Sequence, residues 1–175
     1  MKERPIPFNG PIAGTKTQTR RKVKGVVEQG GAYSLDAHMQ GNFPLCPYGV
    51  PGDRLWVKET FAVVEGGDPL VTFCSDGRTI MMDDRADYGF GTLPLRWTPS
   101  IYMPRWASRL TLEVTEVRVE RLQEISEVDA LAEGVTHGQS ARDAFASLWE
   151  KIHGEGSWGM DPWVWVVGFK RVTAP

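Results

Sequence analysis

Apolar and polar residues alternate most cleanly near the middle of the chain. Leu110, Leu112, Val114, Val117 and Val119 share one phase, with a slip at Thr115-Glu116. A period of two is the mark of a half-buried strand, and a slip inside it predicts a bulge. Leu55 to Val64 reads as another strand, with Leu55, Val57 and Phe61 inward and Trp56 and Lys58 on the other face. Val71-Thr72-Phe73-Cys74 and Thr79-Ile80-Met81 flank Ser75-Asp76-Gly77 and predict a short hairpin. Trp163 to Val172 predicts a closing strand, in which Trp163 and Trp165 are structural.

Between the long strand and the closing one the period changes to that of helices. Ser126 is placed as an N-cap with Asp129 at the third helical position, and the helix runs to about Glu133, where Gly134 stops it. A second helix starts near Ser140, sets Phe145, Leu148, Trp149 and Ile152 on one face, and ends at Gly154. Pro5, Pro7, Gly10 and Pro11 forbid a stable helix at the start. Residues 24–51 and 83–100 have no sustained period and read as loop insertions. This order predicts an α+β fold: a small mixed β-barrel with helices packed on its side, one domain over residues 1–175.

Composition narrows the function classes. An apolar fraction of 41% supports a real core, and a net charge of −2 excludes a bulk polyanion binder. Contact with nucleic acid then depends on a local basic patch. Cys46 and Cys74 lack metal-ligand spacing, and His38, His137 and His153 lie far apart, so no metal or cofactor is expected. No apolar run reaches the about 18 residues of a membrane span, and Met-Lys-Glu-Arg-Pro is not a secretory start. The expectation is a soluble, reduced, cytoplasmic protein without a membrane partner.

The chemistry concentrates at Gly14-Thr15-Lys16-Thr17-Gln18-Thr19-Arg20-Arg21-Lys22. A permissive glycine, three hydroxyls and four cations in this stretch suit an anionic or heteroaromatic ligand if held rigid on a turn. A solvated basic loop has the same composition.

Gly-x-Lys-x-x-Thr-x-Arg, matched by Gly14, Lys16, Thr19 and Arg21, resembles the signature of the ASCH domain, a small β-barrel related to the PUA fold. Pro51-Gly52-Asp53-Arg54-Leu55-Trp56-Val57 resembles its second hallmark, a Gly-Asp turn entering a strand. A helix ending in Ala132-Glu133-Gly134 and an aromatic closing strand follow in the family's order. Over nearly its whole length the chain looks most like the longer ASCH-type proteins of phages and prophages. It departs from them before the motif, where Pro11 to Gly14 leaves little room for the family's short helix.

One branch of that family resembles amidohydrolases that remove acyl groups from the exocyclic nitrogen of cytidine. The resemblance implies Lys16, Thr19 and Glu133 as the catalytic set. A threonine hydroxyl attacks only when a base takes its proton, and a lysine serves as that base only as the free amine. Arg20 or Arg21 would supply the cationic field, and Glu133 would pass a proton to the leaving amine. The plainer alternative is a Lys16–Glu133 salt bridge beside a turn-capping Thr19.

Arg21 and Arg20 are the candidates for phosphate or base contact, and Trp56 for stacking a base beside Lys58 or Glu59. Tyr102 and Arg105 belong to a second basic-aromatic cluster, with Trp106 and Arg109, for an opposite wall. The partner implied is a modified nucleoside or nucleic acid, RNA before DNA. Two rivals stay open: a non-catalytic RNA-binding module and a ribonuclease.

Overall fold

The computed structural model describes residues 2–7, 16–23, 46–64, 70–74, 78–81, 87–90, 96–135 and 140–172. The strands are β1 (Glu3–Pro7), β2 (Gln18–Lys22), β3 (Arg54–Lys58), β4 (Phe61–Val64), β5 (Leu70–Phe73), β6 (Arg78–Met81), β7 (Asp87–Phe90), β8 (Thr111–Arg121) and β9 (Trp163–Val172). The helices are α1 (Glu127–Ala132) and α2 (Ala141–His153). Five strands form one mixed sheet in the order β1-β3-β8-β9-β2, and four form a second in the order β4-β5-β6-β7. The α+β class is as expected, but the five-stranded sheet is open rather than closed into a barrel. Among the described residues β1 and β2 stand at its two edges and do not pair.

The chain divides into two compact units, one of residues 1–12, 54–112 and 171–175, the other of residues 13–53 and 113–170. In the first, β1 runs parallel to β3, from Glu3 opposite Arg54 to Pro7 opposite Lys58. As an edge strand β1 tolerates Pro5 and Pro7, which supply no donor to the ladder. The expected strand from Leu55 to Val64 is broken. Leu55 and Val57 are buried in β3 as predicted, but the chain leaves this sheet at Glu59 and β4 begins a new one. There Phe61 pairs with Phe73 and Val63 with Val71, and β5 pairs with β6 as the hairpin pattern required. The turn at residues 75–77 and residues 24–45 of the first expected insertion lie outside the described residues. Within the second insertion, residues 87–90 form strand β7 against β6. Phe61, Val71, Phe73, Met103 and Ala107 make the core of this unit, with Trp56 packed on it.

In the second unit the helix signals worked as local chemistry dictates. Ser126 Oγ accepts from Asp129 N–H (3.1 Å), and Ser140 Oγ accepts from Asp143 N–H (3.2 Å). Gly134 and Gly154 follow the two helix ends with φ of +86° and +97°. Glu127 on α1 accepts from Ala141 N–H (2.7 Å), joining α1 to the start of α2. Leu122, Ile125, Ala130, Phe145, Trp149, Val164 and Val166 form the core. The predicted apolar face of α2 is narrower than expected: Phe145 and Trp149 are buried, Leu148 and Ile152 exposed. Nothing among the described residues covers that half of the helix.

The phase slip in β8 is real. Leu112 and Val114 are buried, Thr115 and Glu116 are both exposed, and Val117 is buried again. A Cβ on Gly168 of β9 would stand 3.1 Å from Thr115 Oγ1 and 3.3 Å from Glu116 Cβ. A side chain at 168 would therefore require the neighbouring Thr115 and Glu116 to give way slightly, and glycine lets β9 lie against the irregularity without that shift. No helix among the described residues is long and apolar enough to cross a membrane.

Candidate functional site

The second half of the basic run is not a loop but the edge strand β2, whose Thr19 lies opposite Val167 of β9. Alternation along it separates the side chains into two faces. Gln18 and Arg20 reach the acidic groups of α1, and Thr19 and Arg21 take the other phase. Lys16 lies just before the strand, where two backbone bonds anchor the chain. Thr17 N–H donates to Ala132 O (2.9 Å), and Phe169 N–H donates to Thr17 O (2.8 Å).

This anchoring brings Lys16 to the C-terminal end of α1. Its Nζ donates to the Glu133 carbonyl (2.9 Å) and to Glu133 Oε2 (3.2 Å). Glu133 is buried, and its Oε1 accepts from Arg20 NH1 (3.3 Å). Burial pushes the Glu133 carboxyl above its ordinary value, against the opposing pull of Lys16 and Arg20. Two residues 117 positions apart thus meet at hydrogen-bond distance around a buried carboxyl group.

Gly134 is part of the same construction. Its left-handed backbone turns the chain away after α1, and a Cβ there would lie 3.3 Å from Lys16 Cβ. Gly134→Ala is expected to cost about 1–2 kcal/mol in the left-handed conformation. It should also displace the Lys16 side chain. Urea unfolding reads the first effect and turnover the second.

Arg20, expected to face a ligand, has no exposed side-chain surface. Besides Glu133 it bonds Glu120 Oε1 through Nε (3.0 Å) and NH2, and NH2 lies 3.3 Å from Asp129 Oδ2. Its guanidinium also lies 5.9 Å from the Phe145 ring centroid. Arg21 on the opposite phase is half-buried. Burial lowers its pKa from an arginine's ordinary value, opposed by Tyr48 and Glu133. Tyr48 was not anticipated as a neighbour of the site. Its own hydroxyl is raised by burial, with Arg21 pulling the other way.

The remaining candidates fall in the other compact unit. Trp56 is half-buried, with Lys58 Nζ 5.4 Å and the Arg105 guanidinium 6.0 Å from its ring centroid. Tyr102 and Trp106, which flank Arg105 in the chain, are exposed. Arg105 Nε donates to Glu3 (3.1 Å). Glu59 is buried and held in a bidentate pair by Arg109, at 3.0 and 2.8 Å. Its carboxylate is therefore engaged within the fold rather than offered to a ligand. Among the described residues no three histidine, cysteine or carboxylate side chains are grouped as a metal site needs.

Among solved structures the chain is similar to the ASCH domain from Lactobacillus crispatus JV V101, known from a high-resolution crystal structure. The alignment covers 97% of this chain and 79% of that one, at 12% identity and a TM-score of 0.39. No family profile matches the chain, and no curated protein does.

Proposed function

We propose that the chain is a hydrolase that removes an acyl group from the exocyclic amine of a modified cytidine, through Lys16, Thr19 and Glu133. The observation that supports this reading is that Lys16 Nζ meets a buried Glu133 carboxylate at 3.2 Å; an ordinary salt bridge makes the same contact, and the variants below separate the two. A proton passed across that contact leaves a neutral amine and a carboxylic acid, the pair such a reaction uses. Lys16 then takes the Thr19 hydroxyl proton as Oγ bonds the acyl carbon, a step that requires the buried Thr19 side chain, on the phase of β2 opposite Arg20, to reach the amine. Glu133 gives its proton to the nitrogen as the amide C–N bond breaks. Water hydrolyses the acyl ester and restores the threonine. The raised Glu133 carboxyl supports its role as the acid, since it keeps its proton to higher pH than an ordinary glutamate.

The test is release of cytidine from N4-acetylcytidine, with Lys16→Arg as the informative variant. A guanidinium cannot surrender its proton at neutral pH, so this variant is expected to lose as much turnover as Lys16→Ala. Activity should also fall as pH rises through the Glu133 value, above the ordinary carboxylate range, because the donor is then ionised. Glu133→Gln should remove that limb. A Lys16→Arg enzyme working at the parent rate would reject the lysine base.

The exposed Tyr102 and Trp106, with Arg105 between them in the chain, favour a second reading, a nucleic-acid-binding module. Saturable binding of a labelled single-stranded RNA, without acyl release or cleavage, would select it. Cleavage of that RNA would select the ribonuclease instead.

A further inference from the structure

We propose that Arg20 is the positioning residue of this site: its enclosed guanidinium fixes Glu133 by one carboxylate oxygen and so holds the other on Lys16. The proposal rests on the hydrolase reading for its kinetic consequence, and on the geometry of one compact unit for everything else.

Arg20 sits outside the Gly-x-Lys-x-x-Thr-x-Arg pattern, whose arginine is Arg21, and sequence alone suggests a ligand contact for it. Its surroundings argue otherwise. Its side chain has no exposed surface, so it meets no solvent-borne phosphate. Three carboxylates converge on it from two elements: Glu120 on β8, and Asp129 and Glu133 on and after α1. A planar fork offers Nε, NH1 and NH2 at fixed angles, so anchoring two of them orients the third.

The anchors do not depend on Glu133. Glu120 Oε2 also accepts from Arg118 Nε (3.0 Å), and Arg118 NH2 donates to both Asp129 oxygens (3.2 Å each). Asp129 Oδ1 accepts from Gln18 Nε2 (3.2 Å), two positions before Arg20 on the same strand. Arg118 NH1 reaches Glu116 (3.0 Å) further along β8. The guanidinium is therefore held from behind by β8 and α1, and Glu133 in turn touches Lys16. Position is transmitted from Arg20 to Glu133 and not the reverse. Burial raises the Glu133 carboxyl, Lys16 and then Arg20 oppose it, and Arg21 also interacts with it electrostatically.

The experiment is a double-mutant cycle of Arg20→Lys and Glu133→Gln, read as kcat and KM on N4-acetylcytidine in variants that circular dichroism shows to be folded. Lysine keeps the charge and loses the fork. If Arg20 acts through Glu133, Arg20→Lys alone should lower kcat by about 30- to 100-fold at unchanged KM. In the Glu133→Gln background it should change kcat by less than about two-fold. Equal losses in both backgrounds, or parent-like kcat in the single variant, would overturn the proposal and leave Arg20 a structural residue. Should Arg20→Lys not fold, Glu120→Gln takes its place in the same cycle, with a smaller loss expected in the same direction, since it weakens one anchor of the guanidinium without touching Glu133. Should the parent protein release no cytidine, the hydrolase reading fails, and carbon-13 titration of the Glu133 carboxyl decides the positioning role. The expected result is a higher midpoint in Arg20→Lys; an unchanged midpoint overturns it.

Discussion

Thr19→Ala is expected to lower the turnover of N4-acetylcytidine by about three orders of magnitude or more, the scale of removing a nucleophile. Substrate affinity should stay close to that of the parent, and the fold should persist with a loss of about 0.5–3 kcal/mol for truncating a buried side chain. Thr19 lies on β2 opposite Val167, and its backbone belongs to a ladder that the substitution leaves in place. Losing one hydroxyl and one methyl there removes chemistry while sparing the strand. Thr19→Ser keeps an attacking oxygen and should retain part of the rate. Single-turnover measurements with trapped acyl-enzyme check the assignment directly: acyl label on the parent and on Thr19→Ser, and none on Thr19→Ala. Label persisting on Thr19→Ala would move the nucleophile elsewhere.

The second large effect concerns stability, in the other compact unit. Arg109→Met is expected to destabilise the protein by about 3–5 kcal/mol, because it strips the guanidinium from a carboxylate that the fold has already buried. Glu59 is 2% exposed and accepts two bonds from Arg109, whose guanidinium also lies 3.9 Å from the centroid of Phe73. The double variant Glu59→Leu/Arg109→Met should recover most of the loss, since apolar groups of similar size leave no buried charge behind. Urea unfolding midpoints of the single and double variants check this. A loss under about 1 kcal/mol in Arg109→Met would class the pair with exposed ion pairs instead.

The parts of the fold legible in the sequence were those set by local chemistry. Ser126, Ser140, Gly134 and Gly154 marked helix ends because a side-chain oxygen or a left-handed backbone does the same work wherever the chain goes. The closing strand was legible because Val164 to Phe169 is apolar on both faces, as a central strand requires. Barrel closure was not, because it depends on which edges meet, and no residue of β1 or β2 encodes that. The break at Glu59 was hidden within a run of continuous strand character that contains neither glycine nor proline.

The site shows the same division. The meeting of Lys16 with Glu133 is the salt bridge that the plainer alternative expected. The enclosure of Arg20 was not foreseen, since alternation separates two faces without saying which one a helix will cover. One signal was available: Glu116, Arg118 and Glu120 alternate in sign on one face of β8, a pattern that fits ion pairing with further charges.

The slip at Thr115-Glu116 gives that charged row its address. Counted by strict alternation from Leu112 and Val114, positions 116, 118 and 120 belong with the core; the slip moves them off it and gives Val117 the buried phase. Length, rather than identity, is thus the quantity under constraint at this point of the chain. Deleting either residue would act like a frameshift within the fold, turning every side chain from Val117 to Arg121 to the opposite face. Glu120 would leave Arg20, and Arg121, of like charge, would arrive in its stead. Point substitutions at the exposed Thr115 should be tolerated, whereas libraries that vary length here should return no folded members.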